Sequence, residues 1–132
     1  MLDLNAPQPP PTAGEGESVW PLIFNSTGLV IPDWLRADMR ARHEIGVTKY
    51  GTPLKVWNGR DAVIDAYQEA LDLIVYARQA RERLEPYSLR KHETINVHLA
   101  LDLVLHNAIQ IACHLGELAR GQKVPTTKEG SR

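Results

Sequence analysis

Between Val97 and Leu118 the chain is apolar on nearly every side of the helix it must form. Val97, Leu99, Leu101, Leu103, Val104, Leu105, Ile109, Ile111, Leu115 and Leu118 recur there without a broad polar face. A helix of this kind lies at the centre of a bundle or at a subunit interface. The 132 residues give room for one domain. Three helices drawn from roughly 90 residues cannot cover such a helix alone. The expectation is an all-α helical bundle with three main helices, near 32–48, 59–84 and 89–120, that is completed by oligomerisation.

Composition narrows the function classes. Fifteen basic and 16 acidic residues leave no net field that would favour nucleic acid or an anionic membrane. The single cysteine, Cys113, excludes an internal disulfide and a cysteine-based zinc site. In its apolar helical run it is expected to be a buried, inert thiol. Met1 is followed by Leu-Asp-Leu-Asn and then prolines, which is not a signal-peptide pattern. No segment is expected to reach the ~20 apolar residues of a membrane span. A soluble, cytoplasmic protein without membrane or nucleic-acid partners is expected.

Prolines 7, 9, 10 and 11 with Gly14 and Gly16 mark residues 1–17 as a disordered tail. Residues 18–31, with the apolar cluster Val19 to Phe24, read as an extended arm. The helical domain covers 32–121, and 122–132 is a polar C-terminal tail. No strand pattern of useful length appears. Proline and aspartate at 32 and 33 suit a helix start, and Gly51 with Pro53 ends that helix. Asn58 or Gly59 can cap the next helix, with Asp61 in its first turn. Pro86 breaks it.

The segment from Arg60 to Tyr76 carries the most suggestive chemistry. Asp61, Asp65, Glu69, Asp72 and Tyr76 fall at steps of 4, 4, 3 and 4 and share one helix face. Val63, Ile64, Tyr67, Ala70, Leu71, Ile74 and Val75 cover most of the rest. Aligned carboxylates repel one another, so a solvated face, basic partners or a hard divalent cation must offset them. The loop just upstream concentrates Lys49, Tyr50, Lys55, Trp57 and Asn58, a chemistry that loops often use for binding. The alternative there is turn chemistry with hydrophobic anchoring.

On the third helix His98, Asp102 and His106 recur every four residues, with His114 further along. Steps of four drift round a helix, which favours a polar seam over a metal site. No Walker loop, dinucleotide fingerprint, nucleophile elbow or zinc-finger spacing is present, so nucleophilic catalysis has no candidate.

Glu69-Ala-Leu-Asp72 on an apolar helix, downstream of a helix bearing Glu44, resembles the MazG-like all-α nucleotide pyrophosphohydrolases. Lys49-Tyr-Gly51, the Trp57-Asn58 pair and the His-Leu-rich segment His98 to Asn107 look like the phage dATP/dGTP diphosphohydrolase branch. The resemblance covers roughly residues 33 to 118. It implies a MazG-like fold and a magnesium- or manganese-dependent hydrolysis of a nucleoside triphosphate to monophosphate and pyrophosphate. It implies Glu44, Glu69 and Asp72 as metal ligands, with Glu69 and Asp72 as catalytic carboxylates; Asp65 and Asp61, one and two turns earlier, are candidates to substitute as ligands, and Asp65 is added to the catalytic set. The chain departs from the pattern at Ala41, where the family carries the first glutamate of a Glu-x-x-Glu pair, and at Gln68.

Elementary chemistry is compatible with this set. Magnesium is typically held by one or two carboxylates plus substrate phosphates, which Glu69 and Asp72 satisfy. Asp65 can act as a base through a water. Lys49, Lys55 and Arg60 can meet phosphates, and Tyr50 or Trp57 can stack on a base. Three functions stay open: a phage-type nucleotide pyrophosphohydrolase in the host cytoplasm, a non-catalytic protein that sequesters a nucleotide, and a structural helical oligomer. The expected partners are a nucleotide and a second copy or more of the chain, as dimer or tetramer.

Overall fold

The computed structural model of the protein describes residues 3–84, 92–121 and 126–128. The expected break at Pro86, and most of the polar segment 122–132, lie outside the described residues. In chain order the elements are β1 (Glu15–Ser18), α1 (Val19–Phe24), α2 (Asp33–Tyr50), β2 (Lys55–Trp57), α3 (Ala62–Leu84) and α4 (His92–Gly121). The fold is mostly helical, as the periodicity requires. It divides into two compact units. One takes Met1–Gln8 and Asp61–Val124, the other Pro9–Arg60 and Pro125–Arg132.

The first unit is built on the antiparallel-neighbour hairpin of α3 and α4, which pack on each other. Their contact is made of small side chains. Ala70 and Ala77 of α3 are buried, as are Ala108, Ala112 and Ala119 of α4, each at 6 % exposure or less. Gly116 continues this row: a Cβ added there would stand 3.0 Å from the Tyr67 ring. Small residues at steps of three and four let two helices approach closely. The larger Leu101, Leu105 and Leu115 flank the row half-buried. Arg81 of α3 reaches Asp102 of α4, Nε to Oδ1 at 2.8 Å. Arg78 and Glu82 pair along the exposed side of α3.

Cys113 is exposed, not buried, because its step along α4 turns it away from the alanine row. A second correction concerns hydropathy. Residues Asn96–Gly121 form one helix long and apolar enough to cross a membrane by length and composition. Single polar residues such as Asp102 and Asn107 interrupt this stretch without lowering its mean hydropathy much.

The second unit holds the short elements. Residues 15–17, expected as part of a tail, and Ser18, expected to begin the arm, form β1 and pair antiparallel with β2, Glu15 opposite Trp57 and Ser18 opposite Lys55. Gly14 makes this possible. It sits at φ +83, and a Cβ there would lie 2.7 Å from the Trp57 carbonyl oxygen. The expected extended arm is helical over Val19–Phe24. Trp20-Pro21 suggests extended backbone, yet Pro21 falls in the first turn, where its missing N–H costs nothing. Trp20 stacks on Phe24 and tilts against His43 of α2, with centroids 5.9 and 5.5 Å apart. Arg36 and Arg40 lie over the Phe24 ring, and Arg36 donates to the Phe24 carbonyl at 3.2 Å. The helix α2 ends at Gly51, which adopts φ 72 and donates to the Val47 carbonyl at 2.8 Å.

Candidate functional site

The row of carboxylates on α3 is split by what each one does locally. Asp61 is the cap of α3. Its Oδ1 accepts from the backbone N–H of Val63 at 2.9 Å and of Ile64 at 3.1 Å. Asn58, expected as a cap, instead accepts from the backbone N–H of Arg60 at 3.1 Å, closing a turn before the helix.

Asp65 is engaged by the N-terminal segment. Gln8 Nε2 donates to Asp65 Oδ1 at 2.7 Å and to the Asp61 carbonyl at 2.7 Å. Gln8 Oε1 accepts from the Asp61 N–H at 2.8 Å. One turn on, Gln68 Nε2 donates to the carbonyls of Leu4 and Ala6, at 2.8 and 3.1 Å. Leu4 is buried at 4 % exposure. Residues 4–8 therefore lie along the start of α3 as a strap held by two glutamines. Gln68 stands out in the sequence only as a departure from the family pattern, and Gln8 not at all. Gln8 sits among prolines, and its partners are more than fifty positions away, so no local pattern announces it.

Glu69 and Asp72 are different. Both are exposed, and among the described residues neither takes a hydrogen bond or an ion pair. They stand at i and i+3 on the face that Asp61 and Asp65 begin. Tyr76, 64 % exposed, closes the row.

The remaining candidates belong to the other unit. Glu44, Lys49 and Tyr50 are exposed on α2. Lys49 Nζ stands 5.1 Å from the Tyr50 ring centroid. Lys55 and Trp57 are half-buried in β2, and the Trp57 ring lies against Gly16. Asn58 holds the Thr12 N–H through its carbonyl at 2.9 Å, and Arg60 donates to the Pro9 carbonyl at 2.9 Å. Lys55, Trp57, Asn58 and Arg60 thus carry structural contacts, whereas Lys49 and Tyr50 face outward.

On α4 the drift of four-residue steps is visible: His98 is half-buried, and Asp102 and His106 are exposed. Asp102 is taken by Arg81. Among the described residues no group of three or more His, Cys, Asp or Glu side chains is placed to hold a metal ion. Helix geometry explains this for α3. Asp61 and Asp72 are about 16 Å apart along the axis, so one ion cannot gather the row. The pair Glu69 and Asp72 suits a hard cation whose other ligands come from phosphate oxygens and water, and does not form a complete protein cage.

No family model, curated protein or solved structure matches the chain.

Proposed function

We propose that this chain binds a nucleoside phosphate together with magnesium or manganese, with Glu69 and Asp72 as the protein's carboxylate ligands. We propose further that it hydrolyses a nucleoside triphosphate to the monophosphate and pyrophosphate. The observation that carries the proposal is the pair itself: two exposed carboxylates, unpartnered among the described residues, one turn apart on a largely apolar helix. Like charges at that spacing destabilise a helix by a few tenths of a kcal/mol, and a shared cation reverses the sign. When bound, such an ion neutralises phosphate charge and supplies an acidified water. Asp72 and Glu69 hold and orient the ion–phosphate group. The backbone cap at Asp61 and the strap at Asp65 keep the first turns of α3 rigid beneath them. MazG-like fold and phage-type activity rest on the resemblance in residues 33 to 118.

One observation favours a second reading, sequestration without turnover. Asp65, the carboxylate best spaced to act as a base, is already hydrogen-bonded by Gln8. A protein with this pair and no free base binds the nucleotide and keeps it.

The test is a panel of nucleoside triphosphates with magnesium and with manganese, read by calorimetry and by pyrophosphate release. Binding with release supports hydrolysis. Binding without release supports sequestration. Absence of metal-dependent binding, or binding undiminished in Glu69→Gln, removes both.

A further inference from the structure

The helix α4 has two seams, and the fold uses one. Leu101, Leu105, Ala108, Ala112, Leu115 and Ala119 follow steps of 4, 3, 4, 3 and 4, and all are buried or half-buried on the side that packs on α3. A second series follows the same period. Val97, Val104, Ile111 and Leu118 are seven residues apart. Ala100, Asn107 and His114 interleave them at the same spacing. On a helix wheel this second seam lies roughly 90° from the first. All seven residues are exposed, with Val97 at 46 %, Val104 at 40 %, Ile111 at 48 % and Leu118 at 39 %.

We infer that the second seam is the contact between two copies of this chain, α4 packing on α4 of the partner to complete a four-helix bundle. A seven-residue repeat sustained over three heptads is the pattern of a helix that meets another helix, knobs into holes. β-Branched Val97, Val104 and Ile111 occupy one set of positions, as packing helices prefer. A lipid surface asks for something else. It needs apolar character all round, whereas α4 bears Asp102, His106 and Arg120 away from both seams and Glu117 at the edge of the second.

The area agrees with a second copy. Covering all seven seam residues and their neighbour Leu103, 60 % exposed, removes on the order of 600 Å² per chain, the low end of the range for a specific interface. A standard interface takes about 800 Å² per partner. The hairpin also needs it, because among the described residues its interior contains alanines and no large side chain that is fully buried. Asn107 stands at the middle of the seam. A two-fold pair whose seams overlap along their length brings the two copies of Asn107 together in either polarity, and a polar residue there fixes register.

The full chain is examined without detergent by sedimentation equilibrium across micromolar concentrations. The wild type is expected to be a dimer or a higher even oligomer. Val104→Glu with Ile111→Glu is expected to weaken association by at least about 100-fold. Leu99→Glu, as exposed but off both seams, leaves it within about threefold of wild type. As a check that does not depend on a variant tolerating a charge, Asn107→Cys in a Cys113→Ser background is oxidised. A disulfide-linked dimer is expected, while the wild-type thiol of Cys113, off the seam, gives none. A wild-type monomer, association that survives the double glutamate variant, absence of the Asn107→Cys cross-link, or flotation of the protein with phosphatidylcholine vesicles in place of a soluble oligomer overturns the inference.

Discussion

The amide of Gln8 and the carboxylate of Asp65 meet at 2.7 Å across 57 positions of sequence. The same amide group also satisfies the backbone N–H and carbonyl of Asp61, so one side chain from a proline-rich segment secures the first turn of α3. Replacing Gln8 with alanine removes these hydrogen bonds together. The partly buried setting puts the loss at about 1–2 kcal/mol in chemical denaturation. A Gln8→Ala protein as stable as wild type would mean that residues 4–8 contribute nothing to α3.

Asp61 supports the same turn through its own side chain. Asp61→Ala should cost about 1 kcal/mol, and Asp61→Asn much less, because the amide oxygen can still accept from the Val63 and Ile64 N–H groups. Equal losses in the two variants would assign the effect to charge and not to the cap.

Glu69→Gln and Asp72→Asn should leave stability within about 0.5 kcal/mol of wild type, since both side chains are exposed and, among the described residues, unpartnered. Each should abolish the metal-dependent part of nucleotide binding. Circular dichroism melts beside calorimetry on one preparation separate the two effects. Retained metal-dependent binding in both variants would take the ion away from this face.

Gly116 faces Tyr67 and Arg120 with no room to spare. An added Cβ would lie 3.0 Å from the tyrosine ring and 2.8 Å from a guanidinium nitrogen. The arginine can swing away, but the ring is part of the α3–α4 contact. Gly116→Leu should therefore destabilise by about 1–3 kcal/mol through overpacking. Tyr67→Ala in the same chain should recover part of that loss, a coupling that a double-mutant cycle measures directly. Additive losses would show that the two residues do not share the space.

Trp57 rests against Gly16 in the two-stranded sheet. Trp57→Ala is expected to lower stability by about 1–3 kcal/mol, less than for a fully buried tryptophan. Nucleotide affinity per folded molecule should not change. The opposite outcome, intact stability with weakened affinity, would make the ring a stacking platform.

The long helices were legible because their signals are local. Proline at 32, glycine at 51 and the apolar period through 62–84 set boundaries close to Asp33–Tyr50 and Ala62–Leu84. The strands were not legible. At four and three residues they carry no alternation to detect, and they exist only because Gly14 lets residues some forty positions apart approach. The acid row was legible as a row, but the division of labour within it was not. Spacing treats Asp61, Asp65, Glu69 and Asp72 alike. Their difference comes from a helix start and from Gln8, one set by the exact first residue of α3 and the other by tertiary contact. Exposure of Cys113 was missed for a related reason: an apolar neighbourhood in sequence says little about which way one residue turns when a helix presents apolar groups on several sides.

The alanine row between α3 and α4 has a thermodynamic consequence. Methyl groups release little water on burial, ~0.8 kcal/mol each, so the hairpin cannot offset its own chain entropy by interior packing. With the proposed pairing of α4 on α4 of a second copy, secondary structure and self-association become one equilibrium. The midpoint of thermal unfolding should climb as the protein is concentrated, by mass action, and helical signal should fade on dilution before any heating begins.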